Sequence, residues 1–189
     1  QQFGVTSPLY CGMTGVMDKW FSASRYWDIV RKYNATLLDP LGTMMSVLLL
    51  QPESPLDKQH KARVGVGIAA SQVRRELKDE FEARFGTPML EVYAMTEMGV
   101  LLCSERLHDR RIGSCGKPHG WAEVLIVDAE DNPAETGTTG QILLRPSVPN
   151  SCMMRYINKP DETIAAWQNL WYHSGDLGYL DDEGYVYFV

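Results

Sequence analysis

Apolar residues recur at every fourth position in one stretch of the first half of the chain, and this spacing predicts an amphipathic helix. The stretch begins after Ser71, which can cap a helix, and closes at Gly86, a common helix terminator. Its apolar face consists of Val73, Leu77, Phe81 and Phe85. No other part of the chain shows so clear a helical pattern.

Runs of strand length lie on both sides of this helix. Residues 63–70 and 89–93 are rich in apolar side chains and are bounded by loops. A strand, a helix and a strand at this spacing are typical of a βαβ unit, which predicts a parallel sheet. Three further elements are expected upstream: a helix starting at Ser22 or Ser24, a strand over residues 35–39 and a buried helix over residues 42–50.

The second half of the chain has short strand patterns separated by turn residues. The expected elements are strands over residues 123–127 and 141–145, a short helix capped by Asp161 that runs to Trp167, and a hairpin over residues 178–189. Such a pattern predicts a small antiparallel sheet or barrel. The predicted fold class is therefore α/β: a partial parallel sheet with helices over residues 1–112, followed by a small, mostly-β, distorted-barrel subdomain over residues 113–189.

Composition indicates an ordinary globular protein. The 189 residues are 44% hydrophobic and 22% charged, with a net charge of −6. This negative charge, without long blocks of Lys and Arg, argues against a nucleic-acid partner or a membrane surface. The longest apolar run, residues 44–50, is far too short to cross a bilayer, so no membrane-spanning segment is predicted.

The cysteines and the chain ends bear on where the protein works. The cysteines are widely spaced, form no metal-ligand pattern and are expected to be free thiols: Cys11, Cys103, Cys115 and Cys152. The first residues show no signal-peptide pattern, so we predict a cytoplasmic location. The chain begins without Met and ends in a strand-like run, so we expect it to be a piece of a longer protein.

Thr96 and Glu97 lie just past the predicted strand over residues 89–93. Ligands of α/β sheets bind in the crevice at the carboxyl ends of the strands. A carboxylate is a hard ligand for Mg²⁺, a hydroxyl can hold a phosphate oxygen, and Tyr93 offers an aromatic face for a base. Taken alone, the same residues also suit an ordinary strand end.

Two other segments could contact a nucleotide. Asp176 lies in a predicted turn between an aromatic strand and a hairpin, where its carboxylate can accept hydrogen bonds from ribose hydroxyls; the alternative is a turn Asp that bonds its own backbone. Residues 65–70 are small and join a strand to a helix, so a flat ligand can approach their backbone. They do not form a phosphate P-loop, because no Gly-Lys-Ser/Thr follows.

The aromatic residues near the end of the chain have a structural interpretation. His173 could act as an acid or base, but a half-buried strand histidine is the favoured interpretation. The Trp and Tyr residues of the last forty positions are interpreted as barrel core.

Taken together, the motifs resemble the adenylate-forming superfamily of AMP-producing acyl-CoA synthetases. Residues 93–97 resemble its Tyr-Gly-Met-Thr-Glu box, with Ala94 in place of Gly, and residues 170–176 resemble its Gly-Trp-Phe-His-Thr-Gly-Asp box, with Ser174 in place of Thr. Residues 113–118 and 140–145 resemble its Gly-Ser-x-Gly-x-Pro and Gly-Glu-Ile-x-x-Arg boxes. The segment 21–28 is most similar to the crotonobetaine/carnitine-type and fatty-acyl CoA ligases.

The resemblance implies roles for individual residues. Glu97 is the implied Mg²⁺ ligand, and with Thr96 it forms the implied catalytic set. The implied cofactor contacts are the backbone of Gly67, Ile68 and Ala69 around adenine, the ring of Tyr93 stacked on adenine, Ala94 near the acyl carboxylate, Thr96 at the α-phosphate and Asp176 at the ribose hydroxyls.

The implied reaction activates a carboxylic acid with ATP and Mg²⁺ and transfers it to CoA, with fatty acid metabolism as the expected setting. The alternatives are an adenylation domain that loads a carrier protein and a non-catalytic nucleotide-binding remnant. The family's phosphate loop, ribose-binding Arg and C-terminal domain with its catalytic Lys have no counterpart in these residues. We therefore expect the chain alone to be inactive; the acid and the oligomeric state are not predicted.

Overall fold

The computed structural model describes residues 5–69, 75–99 and 101–189. The chain divides into two compact units, Gln1–Leu90 and Glu91–Val189. This division falls earlier than the predicted domain limit at residues 112 and 113, which follows a change in sequence pattern and stays a prediction. No helix within the described ranges is long and apolar enough to cross a membrane.

Helices and a short parallel pair of strands make up the first unit. Strand β1 (Leu37–Leu38) runs parallel to β2 (Val64–Ala69), with Leu37 opposite Val64. Strand β3 (Met89–Ala94) begins in this unit and continues in the second. The described helices are α1 (Ser7–Cys11), α2 (Ala23–Lys32), α3 (Gly42–Leu49) and α4 (Arg75–Phe85).

The helices predicted for this unit are confirmed with small shifts. Helix α2 begins directly after Ser22, although this residue makes no capping hydrogen bond and its hydroxyl lies 3.2 Å from that of Ser24. Helix α4 ends just before Gly86, as expected. The predicted cap Ser71 and the first apolar position, Val73, lie outside the described residues. Helix α1 has no counterpart among the predictions.

A cluster of aromatic and aliphatic side chains forms the core of the first unit. Its buried members are Trp27, Val30, Leu38, Met45, Leu48, Phe81, Phe85 and Met89. Burying a large apolar side chain of this kind contributes about 1.5–3 kcal/mol. The Trp27 ring stacks on Phe85, with the ring centroids 4.4 Å apart. The core thus packs α2, α3 and α4 around β1, which pairs with β2.

The second unit is mostly β. In one sheet β3, β4 and β5 are antiparallel neighbours, and in the other the strand order is β10–β9–β7–β6, also antiparallel, with β8 paired to β9. The bounds are β4 (Leu101–Ser104), β5 (Lys117–Pro118), β6 (Ala122–Val127), β7 (Gly140–Pro146), α5 (Pro160–Ala166), β8 (Trp167–Gln168), β9 (Trp171–Leu180) and β10 (Val186–Phe188).

The predicted α/β class with a mostly-β second part is confirmed. One detail is wrong: Asp161 is not the cap of α5 but lies in its first turn, after Pro160. Proline is well suited to the first helical position, and a carboxylate there complements the helix dipole. The four cysteines are free, as expected.

Candidate active site

The turn after β3 carries Thr96 and Glu97. Tyr93 is the last buried residue of the strand, at 4% exposure, and the pairing with β4 shifts register between Tyr93 and Ala94. Met98 is fully buried and anchors the turn from its far side. The Thr96 residue is consequently exposed and Glu97 is half-buried.

Asp176 lies inside strand β9, so the predicted turn between an aromatic strand and a hairpin is wrong. Gly175 has a φ of +78°, and the pairing of β7 with β9 shifts register nearby. A left-handed residue at this point lets the strand bulge and then continue instead of ending. The Ser174 hydroxyl fixes the bulge, because it donates to the Ile142 carbonyl at 2.6 Å and accepts from the Asp176 amide at 3.0 Å.

The two sequence motifs meet through Tyr93 and Asp176. The Tyr93 hydroxyl donates to Asp176 Oδ2 at 2.6 Å, across 83 positions of sequence. Burial, together with this hydrogen bond, raises the pKa of the Tyr93 hydroxyl, so it remains a donor. Within the described residues no donor contacts Asp176 Oδ1, which leaves that oxygen to accept hydrogen bonds from a ligand.

Glu97 is held from the segment that follows β7. The Tyr156 hydroxyl donates to Glu97 Oε1 at 3.0 Å and lies 3.0 Å from the Tyr172 hydroxyl. The Met153 amide donates to the Glu97 carbonyl at 2.7 Å. Tyr172 is buried, as expected for barrel core, but its hydroxyl and that of Tyr156 belong to this network. Nothing in the local sequence marks Tyr156, whereas Tyr172 lies within the second motif.

The network gathers two carboxylates around tyrosine hydroxyls. Neither Glu97 nor Asp176 forms an ion pair with a basic side chain of the described ranges. Burial, the hydrogen bond with Tyr156 and the charges of both carboxylates raise the pKa of Tyr172. An acidic site supplied only with neutral donors suits a bound cation and sugar hydroxyls.

The donor set also fits Mg²⁺ in particular. This ion is usually held by one or two carboxylates together with substrate phosphates and water, not by an all-protein cage. Glu97 is one such carboxylate. Among the described residues, no group of three or more His, Cys, Asp and Glu is arranged to hold a metal. A single carboxylate such as Glu97 fits a Mg²⁺ ion whose other ligands are phosphate and water.

Comparison with known proteins shows the family of the chain. The family model described as "AMP-binding enzyme" matches residues 1–157. The chain belongs to this family. It is 37% identical over 180 residues to crotonobetaine/carnitine–CoA ligase of Proteus mirabilis and 35% identical over 180 residues to that of Salmonella heidelberg, in each case over 94% of this chain and 34% of the relative.

Solved structures show the same fold as this AMP-binding chain. O-succinylbenzoate coenzyme A synthetase from Bacillus subtilis, in complex with ATP and magnesium ion, superposes with a TM-score of 0.80 at 26% identity, over 97% of this chain and 37% of that one. Benzoate CoA ligase from Burkholderia xenovorans gives 0.86 at 23% identity, over 98% and 37%. The chain thus spans about a third of the length of the relatives it matches.

The small residues predicted to line an adenine pocket lie in the first unit. Gly67, Ile68 and Ala69 form the C-terminal end of β2. The φ of Gly67 is +120°, a conformation that disfavours any residue with a Cβ, so the backbone of the chain itself already favours glycine there. Their contact with adenine stays a prediction, as does the place of the exposed Ala94 beside an acyl carboxylate.

His173 is a half-buried strand histidine, which confirms the favoured interpretation. Its Nδ1 lies 3.0 Å from Gln141 Oε1, and its Nε2 lies 3.9 Å from Asp131 Oδ2. These contacts hold the ring between neighbouring parts of the second sheet. The described geometry gives it no reacting partner.

Proposed function

We propose that this chain is the nucleotide-binding part of an AMP-forming acyl-CoA synthetase, an ATP-dependent acid–thiol ligase. The enzyme first joins a carboxylic acid to the α-phosphate of Mg-ATP, which gives an acyl-adenylate and pyrophosphate. The thiol of CoA then displaces AMP and forms the thioester. The observation that carries the proposal is the Tyr93–Asp176 hydrogen bond of 2.6 Å, because it joins the two motifs in one place.

The proposed roles follow from what each side chain leaves free. Asp176 Oδ1 accepts hydrogen bonds from the ribose hydroxyls, while Oδ2 stays bound to Tyr93. Thr96 is exposed beside Glu97 and donates to an α-phosphate oxygen. The adenine contacts are assigned from the family resemblance alone, to the backbone of Gly67, Ile68 and Ala69 and to the ring of Tyr93, which is 4% exposed and tilted against Phe188. Ala94, at the bulge that ends β3, is assigned to the acyl side.

Glu97 is the proposed ligand of the magnesium ion. Glu97 would hold the ion, and a bound Mg²⁺ would supply positive charge against the negative charge that develops during adenylation. Glu97 presents Oε2 to the ion, because Oε1 accepts the hydrogen bond from Tyr156. The similar Bacillus subtilis synthetase was solved in complex with ATP and magnesium ion, which supports Mg-ATP as the ligand proposed for this chain.

A cavity in the first unit favours a cationic acid as the substrate. It has a volume of about 640 Å³, and none of its described lining residues is Lys or Arg. Its lining includes four aromatic residues, Trp20, Phe21, Tyr26 and Tyr33, and two carboxylates, Asp39 and Asp18, of which Asp18 is already paired with Arg25 at 2.8 Å. Aromatic faces and carboxylates attract quaternary ammonium groups. The relatives named as crotonobetaine/carnitine–CoA ligases act on acids of that type, so we propose this class first, with fatty acids as the alternative.

Acid-dependent release of pyrophosphate by the full-length protein tests the proposal. The panel contains crotonobetaine, carnitine, fatty acids of several lengths and benzoate, each with Mg-ATP. We expect release with one class of acid, and an acyl-thioester product when CoA is added. A thioester only on a carrier protein would establish the adenylation-domain alternative. Binding of ATP without release of pyrophosphate for any acid would leave the non-catalytic nucleotide-binding remnant. ATP and CoA are cytoplasmic metabolites, so the cytoplasm remains the proposed location.

A further inference from the structure

The hydrogen bonds behind Glu97 have a defined direction. The Tyr156 hydroxyl has a single hydrogen and donates it to Glu97 Oε1 at 3.0 Å. The contact of 3.0 Å between the Tyr156 and Tyr172 hydroxyls is then a hydrogen bond only if Tyr172 donates. The two hydrogen bonds are therefore in series: Tyr172 donates to Tyr156, and Tyr156 donates to Glu97. A hydroxyl that accepts one hydrogen bond donates a stronger one, so the bond from Tyr172 strengthens the bond from Tyr156 to Glu97.

Packing fixes both tyrosines in this arrangement. Tyr172 is 4% exposed, and the Trp167 ring packs edge-on against it with the centroids 5.4 Å apart. The Tyr156 amide donates to Thr163 Oγ1 at 3.0 Å, which ties Tyr156 to helix α5. The two tyrosines thus come from separate elements of the second unit and meet at Glu97.

We propose that Tyr156, itself oriented by Tyr172, is a positioning residue that holds the Glu97 carboxylate for Mg²⁺. This inference rests on the proposed function, in which Glu97 is the metal ligand. The hydrogen bond occupies Oε1, so the carboxylate cannot rotate freely and Oε2 is left for the ion. The Met153 amide fixes the main chain of the same residue at 2.7 Å. Side-chain partners behind a metal ligand commonly decide how tightly the metal binds.

Calorimetric titration of the full-length protein with α,β-methylene ATP, repeated over a range of Mg²⁺ concentrations, tests the proposal without turnover. We expect Tyr156→Phe to raise the Mg²⁺ concentration for half-maximal nucleotide binding about tenfold, the usual effect of losing such a partner. Tyr172→Phe should have a smaller effect, because Tyr156 keeps its contact with Glu97. Tyr179→Phe is the matched control on the same strand: its ring stacks on Tyr187, and no described residue bonds its hydroxyl. It should behave like the wild type.

A double-mutant cycle separates positioning from a merely structural role. If Tyr156 acts through Glu97, Tyr156→Phe should change Mg²⁺ dependence little in a protein that already carries Glu97→Gln. The same tenfold effect in both backgrounds, or no effect of Tyr156→Phe in the wild type, would overturn the inference. Should the wild type itself bind no nucleotide, the proposed function fails and the inference fails with it. If the wild type binds and only the tyrosine variants behave unexpectedly, the proposed function stands.

Discussion

Asp176 and Glu97 carry the same chemical group in different surroundings. Asp176 is backed by one tyrosine and lies on a strand bulge, whereas Glu97 lies in a turn and is backed by two tyrosines in series. In the proposed function one carboxylate binds the sugar and the other binds the metal. The contact between Asp176 and the ribose is the same in the bound substrate and in the transition state. The contact between Glu97 and Mg²⁺ matters more in the transition state, where negative charge develops on the phosphate. The two residues should therefore affect different kinetic constants.

We expect Asp176→Ala to raise the ATP KM and Glu97→Ala to lower kcat. Losing a hydrogen-bond acceptor that is charged costs about 1.5–3 kcal/mol, or about 10–150-fold in nucleotide affinity. Losing the metal ligand should reduce kcat more than it raises the ATP KM. Steady-state kinetics of the full-length variants measure both. Asp176→Asn is the control, because it keeps an acceptor for Tyr93. If both alanine variants kept the wild-type kcat/KM for ATP, neither residue would belong to the nucleotide site.

Asp39 is a second carboxylate whose surroundings matter. It lies at the end of β1, against Gly67 and in the cavity of the first unit. Asp39 is an exposed residue, but partial desolvation of its carboxyl at the cavity wall raises the pKa of that carboxyl above its ordinary value of 3.8. The folded state therefore holds the proton more tightly than the unfolded state. The resulting contribution to stability is present below about pH 4 and is lost as the pH rises through the raised pKa.

Asp39→Asn should therefore stabilise the protein at neutral pH, and by less at acid pH. Asparagine avoids the penalty of a partly desolvated charge at every pH, while protonation removes that penalty from Asp39 only in acid. Because Asp39 is exposed, solvent screening keeps the difference small. Thermal unfolding at pH 4 and pH 7 measures the difference in Tm. Asp18→Asn is the control, since Asp18 lines the same cavity but forms an exposed ion pair with Arg25 at 2.8 Å. An equal shift of Tm at both pH values for Asp39→Asn would contradict the argument.

At the scale of elements, the glycine-rich box at residues 113–118 has a role in folding that needs no ligand. Residues 113–118 resemble a glycine-rich box, and their backbone pairs with β10: the Cys115 amide donates to the Val186 carbonyl at 2.8 Å, and the Val186 amide donates to the Gly116 carbonyl at 3.0 Å. The Gly116 φ is +79° and that of Gly113 is +78°. A Cβ on Gly116 would overlap the Ser104 carbonyl, while one on Gly113 would meet nothing within 4 Å.

The two glycines form a matched pair for a stability test. Gly113→Ala should cost about 1–2 kcal/mol, the usual penalty of a left-handed backbone for a residue with a Cβ. Gly116→Ala should cost more, since it adds a steric clash with the backbone of β4 to the same penalty. Urea unfolding midpoints compare the two variants directly. Equal losses of stability would show that the loop moves away from β4 at no cost.

At the scale of the whole molecule, charge constrains how a nucleotide is bound. The chain carries a net charge of −6, and the carboxylates of the candidate site have no basic partner within the described residues. ATP is itself strongly negative, so a bare nucleotide and this surface repel one another. Mg²⁺ that arrives with the phosphates reduces this repulsion. The Mg²⁺ dependence of binding is therefore central to both proposals.

The α/β class, the short strands of the second half and the motif residues could be predicted from the sequence alone. These features depend on local spacing: the period of α4, the short apolar runs of β2 and β3, and turn residues between strands. The resemblance of residues 93–97 and 170–176 to a known family was also readable, because each box is contiguous. Membership of the AMP-binding enzyme family confirms that interpretation.

Only the tertiary structure decided how the site is held together. Asp176 was expected in a turn, but the Gly175 bulge and the Ser174 hydrogen bond keep it within β9. Tyr156 carries no local signal, because its role depends on a segment that returns to Glu97 across 59 positions. Periodicity describes neighbours along the chain, whereas hydrogen bonds between distant segments depend on strand register and on the path of the loops. The two motifs, residues 93–97 and 170–176, can therefore be recognised in the sequence alone. The hydrogen bonds from Tyr156 and Tyr172 that support Glu97 can be found only in the tertiary structure.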